Sequence, residues 1–248
     1  MDALYRRSIY LLRHALPLLF ITQITVLTGC DNTTIFSDDF SADAVGSAPS
    51  ESPAGAPAGD QVYMSDVDQL SWQVVNNHFF DAAGSNSLEY SNIAVALWQR
   101  YLGMISANTS IPSNGRLLAI ASGRPSLSAS GSGLDIWLGD GHFGTMCGLR
   151  FKNGVLYKKT GNTSHQTIGS YTNNVNHVLI FNVDKATDIC TISVIAQGVT
   201  TDSGPINMWA PAVSDTTRPS LYYNYYQDVS STSKYFVDSV SISYGVPE

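Results

Sequence analysis

Residues 145–196 constrain this chain more than any other stretch. Short apolar runs alternate there with Asn, Gly and Asp turns: TMCGLRF, KNG, VLYKKTG, then VNHVLIFNV, DKATD and ICTISVIAQG. Period-two alternation broken by turn residues predicts consecutive antiparallel strands. Asn153-Gly154 sits between two such runs and is a strong hairpin signal, because both turn positions need positive φ. Asp184–Asp188 supplies a second, longer hairpin loop. The stretch predicts a meander of about four strands, enough for much of one sheet of a sandwich.

The rest of the chain reads the same way. Further strands are predicted at 35–40, 70–75, 90–101, 115–121, 134–138, 221–226 and 235–243, with Pro/Gly/Ser loops at 49–60 and 126–133. Segment 90–101 is long enough for a helix, but Ile93, Val95 and Leu97 alternate with Ala94, Ala96 and Trp98, which favours a strand. Only 13% of residues are charged, and no Leu/Glu/Lys-rich helical segment occurs. An all-β domain follows, with residues 35–248 as one two-sheet antiparallel sandwich.

Residues 1–29 read as a targeting segment outside the fold. Arg6, Arg7 and Arg13 form a positive start, and Leu16–Leu27 an apolar run broken by Pro17, Thr22, Gln23 and Thr25. That run is short for a membrane span. Leu27-Thr28-Gly29-Cys30 matches the bacterial lipobox, which predicts lipidation of Cys30 and a stable anchor in a membrane of the bacterial envelope. Asp31 resembles the enterobacterial signal for retention in the inner membrane. Residues 30–34 leave a tether of at most roughly 17 Å. The formal charge is −7 and becomes −9 once the leader's three Arg and one Asp are removed. An acidic chain without a basic patch argues against nucleic acid as a partner.

VNHVLIFNVDKATDICTISVIAQG resembles the W-H-H-V-x-I-x-x-D-x-x-T run of laminin-G-like, concanavalin-A-type jelly-roll domains, with Asn176 in place of the usual Trp and His177 kept. FSDDFSADAVGSAPS is similar to the opening strand and loop of such domains, and YFVDSVSISYG to their closing strand. The resemblance implies a jelly-roll sandwich over about residues 35–245. It also implies a structural calcium ion where the first and last strands meet.

Residues on the last strand point to the same ion. By alternation Asp238 shares a face with Phe236, Val240 and Ile242, and a carboxylate on a core face must be paired or bind metal. The neighbouring terminal strand offers Asp38 and Asp39. Calcium suits oxygen ligands of this kind. Asp39, Gly46 and Asp238 are the expected metal residues; the competing reading is that Asp238 caps a turn or accepts backbone N–H groups.

Cys147 and Cys190 both point inward by strand alternation, and an exported domain favours a disulfide. In a single meander their strands would stand roughly 14 Å apart, too far for a bridge. The pairing therefore stays open.

Enzymatic motifs are sparse. The chain has three Glu, at 51, 89 and 248, and no E-x-D-x-x-E strand of the family-16 glycosidase type. YKKTG at Tyr157–Gly161 echoes one alginate-lyase motif without its two companions, and no G-x-S-x-G occurs. His142 and His165 fall in expected loops. Alternation instead offers a binding face. Trp98, Arg100, Asp135, Trp137 and Arg150 are expected to face outward, with Tyr222 and Asn224 on one face of their strand. Exposed aromatic rings stack on sugar faces while charged groups fix hydroxyls or acids; the competing reading packs these rings under loops. The sequence therefore predicts a lipid-anchored, non-catalytic domain binding a polysaccharide or other glycan. A polysaccharide-degrading enzyme or a protein-binding envelope lipoprotein is the alternative.

Overall fold

The computed structural model describes residues 33–50, 61–64, 72–76, 86–91, 100–106, 109–127, 133–139, 145–161, 164–208, 216–226 and 233–246. The leader, Cys30, Trp98, His142 and Trp209 lie outside them. Every regular element among the described residues is a strand. In chain order these are β1 (Thr33–Asp38), β2 (Gln61–Met64), β3 (Trp72–Asn76), β4 (Asn86–Ser91), β5 (Arg100–Ile105), β6 (Thr109–Ser110), β7 (Arg116–Ser126), β8 (Gly133–Gly139) and β9 (Thr145–Lys152). There follow β10 (Val155–Lys159), β11 (His165–Ser170), β12 (His177–Asp184), β13 (Ile189–Ala196), β14 (Val199–Asp202), β15 (Ile206–Asn207), β16 (Thr216–Thr217), β17 (Ser220–Tyr226) and β18 (Lys234–Gly245).

Two large antiparallel sheets result, as the composition and alternation predict. The first runs β14-β13-β12-β7-β18-β4-β3, with β1 beside β18 and β15 beside β13. The second runs β11-β10-β9-β8-β17-β5-β2, and β6 pairs with β16 apart from both. The predicted turns are present: Asn153 and Gly154 join β9 to β10 with φ of 52° and 77°, and residues 185–188 turn β12 into β13. Leu179, Phe181 and Val183 of β12, Ile192 and Val194 of β13, and Leu149 and Phe151 of β9 are all buried in one core.

The predicted single meander is not what forms. β9, β10 and β11 belong to the second sheet, while β12 and β13 belong to the first. The chain changes sheets at residues 171–176. Tyr171 turns into the core, its ring edge-on to Phe151 at 5.1 Å. Asn173 clamps Leu127 from both sides: the Leu127 N–H donates to its Oδ1 at 3.0 Å and its Nδ2 donates to the Leu127 carbonyl at 2.7 Å. Asn174 takes positive φ at 62°, a conformation Asn tolerates. The crossing sets β9 and β13 face to face, so Cys147 and Cys190 meet in a disulfide with Cα atoms 6.2 Å apart. The 14 Å expectation held only for strands within one sheet.

Two other strands also differ from expectation. Segment 90–101 is not one strand: β4 ends at Ser91 in the first sheet and β5 begins at Arg100 in the second. Residues 92–99 lie outside the described residues. In β18 the register against β7 shifts between Val237 and Ser239. This bulge reverses the alternation, so Tyr235 and Val237 point into the core before it and Val240 and Ile242 after it. Phe236 falls outside that core and stacks under the Arg124 guanidinium at 4.8 Å. A strict period of two cannot anticipate such a shift.

A line of aromatic rings holds the two sheets together. Trp72 meets Tyr90 at 5.0 Å and Tyr223 at 6.3 Å. Tyr223 meets Tyr235 at 6.0 Å, Tyr235 meets Phe151 at 6.1 Å, and Phe151 meets His177 at 5.8 Å. Such edge and tilted contacts add to plain area burial. His177, the residue shared with the family pattern, is 1% exposed and its Nδ1 pairs with the Val175 carbonyl at 2.7 Å. Burial pushes its pKa down, so the neutral ring is the core species.

The cross-sheet disulfide closes a loop of sequence separation 43, which by the chain-entropy relation is worth about 4 kcal/mol. Replacing Cys147 and Cys190 together by Ala is expected to lower unfolding free energy by a few kcal/mol, read from the urea midpoint. An unchanged midpoint would show that the thiols are not bridged in solution.

Candidate functional site

On the second sheet the residues that alternate away from the core form two rows across the strands. Antiparallel register sets Asn224 of β17 opposite Asp135 of β8, Asp135 opposite Arg150 of β9, and Arg150 opposite Tyr157 of β10. The second row runs Gly103 of β5, Tyr222, Trp137, Gly148, Lys159 and His165 of β11. Directly opposed residues share a face. The structure therefore brings together Asp135, Trp137, Arg150, Tyr222 and Asn224, all expected as binding residues. Arg100 opens β5 opposite Tyr225, with its side chain outside the described ones, as is all of Trp98.

The sequence reading expected an exposed face here, but four of these residues are buried. Asp135 is 3% exposed, Asn224 5%, Trp137 8% and Tyr222 1%. Trp137 and Tyr222 lie 5.9 Å apart at an interplanar angle of 33°, and with Ile105 they make an apolar cluster separate from the main core. Accessibility increases toward the sheet edge. Arg150, Tyr157 and His165 are half-buried, and Thr167 is exposed. His165, expected in a loop, begins β11 and meets the Tyr157 ring at 6.4 Å.

Asp135 is the charged centre of the face. The Arg150 guanidinium donates to both its oxygens, Nε to Oδ1 at 2.6 Å and a terminal nitrogen to Oδ2 at 2.8 Å. The Lys159 ammonium donates to Oδ2 at 2.9 Å and also sits 5.0 Å from the centre of the Trp137 ring. A buried carboxylate needs such partners. Gly148 makes the arrangement possible. A Cβ there would stand 3.1 Å from Lys159 Cδ and 3.2 Å from Trp137 Cβ, so the missing side chain lets Lys159 lie across β9. Gly103 does the same for Tyr222, whose Cε1 would be 2.9 Å from an added Cβ. Sequence reading missed Lys159 and Tyr157 as members of this face. The signal was available, since both alternate with buried Leu156 on a strand following a firm hairpin turn.

Asn224 carries a polar group at the deep end of the face. Its Oδ1 is buried and makes no hydrogen bond. An unmet buried acceptor costs roughly 1–3 kcal/mol.

Of the expected metal residues, Asp39 and Asp238 lie near where β1 and β4 meet on one edge of β18, while Gly46 lies beyond β4, against β3. Asp38 pairs opposite Val240 and Leu88 opposite Val237, which places Asp238 at the junction and at the bulge. Asp238 accepts a hydrogen bond from the Ser122 hydroxyl at 3.1 Å. Asp39 accepts from the Ser41 N–H at 3.0 Å and from the Ser41 hydroxyl at 2.6 Å. Gly46 has φ of 87° and its N–H donates to the Val74 carbonyl at 2.8 Å. Among the described residues no three His, Cys, Asp or Glu side chains gather as a metal-ligand group. The residue that most needs a cation is Asp38: it is 7% exposed, its Oδ1 accepts from the Phe40 N–H at 2.8 Å, and its Oδ2 is buried without a partner. Burial first, then the nearby charges of Asp43 and Asp39, push its pKa up to about 6. Burial likewise raises that of Asp238, with Asp39 adding to it.

No family model and no curated protein matches the chain. Solved structures do. A GH131 β-glucanase catalytic domain from Podospora anserina superposes with a TM-score of 0.59 at 14% identity, covering 85% of this chain and 95% of that one. Lectin II from Ulex europaeus gives 0.56 at 9% identity, covering 86% and 100%. An endo-1,3-β-glucanase from Streptomyces sioyaensis gives 0.55 at 15%, covering 87% and 97%. At such identities the likeness is one of fold: this chain is a two-sheet antiparallel sandwich of the concanavalin-A-like jelly-roll type.

Proposed function

We propose that this protein is a lipid-anchored component of a bacterial envelope whose sandwich binds carbohydrate, without turning it over, on the outer face of the second sheet. The observation that carries this reading is Asn224, a buried amide acceptor with no hydrogen-bond partner beside the Trp137–Tyr222 pair. A sugar hydroxyl supplies the donor, and aromatic rings suit the apolar side of a pyranose. Solved structures of the same fold include lectins and β-glucanases. A polysaccharide-degrading activity is the second reading, favoured by the acid–base side chains Tyr157 and His165 next to Arg150. Product release from a polysaccharide panel separates the two.

Asn224→Leu tests the binding reading. Removing an unsatisfied buried amide is close to neutral or stabilising, so its melting temperature is expected to hold or rise while glycan-array signal disappears. A retained array signal would sink the assignment. Trp137→Ala is a poor probe, because its buried ring costs about 3 kcal/mol or more to remove.

The anchor is tested by Cys30→Ser, which is expected to release the protein from membranes into the soluble fraction. Persistence in carbonate-washed membranes would refute the lipobox reading.

A structural calcium ion belongs to the same proposal, with Asp38 as its anchor and Asp39 and Asp238 supplying negative charge beside it. Oxygen donors of this kind suit calcium. Without a cation, Asp38 has a folded pKa above its unfolded value of 3.8. Its proton is thus held more tightly in the folded state. Its contribution to stability is full below pH 3.8 and is lost as pH rises through about 6. His177 works in the opposite sense, its lowered pKa costing stability as pH falls below 6.5. Comparison with Asp38→Asn cancels the histidine. In chelator at pH 7.5 the Asn variant is expected to be more stable by about 2–3 kcal/mol, with the gap closing near pH 4. Added calcium is expected to raise only the wild-type melting temperature. If EDTA leaves that temperature unchanged and elemental analysis finds no calcium, the ion is not there.

A further inference from the structure

We propose that the glycan taken by the outer face of the second sheet is anionic, bearing carboxylate or sulfate groups. This rests on the carbohydrate reading and names its ligand class. Among the described side chains of that face, the cations are Arg150, Lys152 and Lys159, with the His165 imidazole beside them, and the single carboxylate is Asp135. The chain as a whole carries a formal charge of −7. Against that overall acidity, the described side chains of this face carry three cations to one carboxylate. Lys158, between two of these residues in sequence, alternates away and donates to the Ser203 carbonyl at 2.8 Å, so strand alternation sorts it off the face.

Geometry favours an anion over a neutral sugar. Asp135 fixes the plane of Arg150 through two hydrogen bonds and the position of Lys159 through one. Both cations are thus held in place before a ligand arrives, which lowers the entropy cost of binding. Gly148 keeps Lys159 in that place, since any side chain there would push against it. Arg150 lies where the face becomes accessible, next to Tyr157 and two residues from Lys152 on the same strand face. A charged oxygen approaching from the sheet edge meets these cations before it meets Asp135. Charge-assisted hydrogen bonds of this kind are about twice as strong as neutral ones. Deeper in, Asn224 and the aromatic pair remain for hydroxyls and the ring.

The experiment uses the full chain in detergent, with polygalacturonate, its methyl ester, dextran and dextran sulfate as probes and polyglutamate as a non-sugar polyanion. An anionic polysaccharide is expected to bind at least about tenfold tighter than its neutral counterpart, the preference weakening as salt is raised. Lys152→Gln is expected to reduce that preference several-fold with the melting temperature unchanged. Polygalacturonate alone would assign a carboxylate, and dextran sulfate alone a sulfate ester. Equal binding of polygalacturonate and its methyl ester, with no gain for dextran sulfate over dextran, overturns the anionic assignment and leaves the carbohydrate reading standing. Binding of none of the four sugars overturns both, and so does polyglutamate binding as tightly as the sugars.

Discussion

Tyr171 to Asn176 moves the chain from the second sheet to the first, and the core depends on that crossing. Before it, β9 presents Cys147, Leu149 and Phe151; after it, β12 and β13 present Leu179, Phe181, Val183, Cys190 and Ile192. Only two opposed sheets allow these side chains to bury one another. The crossing is itself held by side chains, with Tyr171 set against Phe151 and Asn173 clamped on Leu127. The disulfide then ties the two faces at one point, and the aromatic line from Trp72 to His177 ties them along their length.

With its inner face committed to the core, the second sheet has one face left for a ligand. That face is built by contrast with the core. Leu134, Ile136 and Leu138 point inward, and the residues between them gather a carboxylate, two cations and two aromatic rings on the other side. Glycines at 103 and 148 let the large side chains lie flat along the sheet. The face is consequently mostly buried at its centre and accessible at the β9–β11 edge. Asn224, at the deep end, keeps an acceptor unmet, an arrangement that costs stability and suits a binding role.

The opposite sheet carries a different tension. β1 and β4 share one edge of β18, and near their junction the charge of Asp39 bears on both Asp38 and Asp238, although the three do not draw together as a metal-ligand group. Burying Asp38 with one oxygen unpartnered raises its pKa, and the neighbouring carboxylates make the site worse for an anion. The reading of a core-facing Asp238 came from assuming unbroken alternation. The bulge breaks it, and the buried carboxylate proves to be Asp38, the alternative that strand register alone left open.

Local chemistry determined much of this molecule. The Asn153-Gly154 turn, the 185–188 loop, the all-β class and the inward-pointing cysteines follow from period-two alternation and turn residues, each decided within a few positions of chain. Part of the candidate face followed too, because Asp135, Trp137, Arg150, Tyr222 and Asn224 occupy positions opposite to core residues, while Tyr157 and Lys159 were missed. Tertiary structure decided what alternation cannot carry. Sheet membership depends on where the chain crosses, so the meander split and two cysteines expected to stand apart met. Exposure depends on what covers a face, so Trp137 is buried. The bulge in β18, a shift of its register against β7, falls where its other edge passes from β4 to β1, a long-range arrangement that no local stretch records.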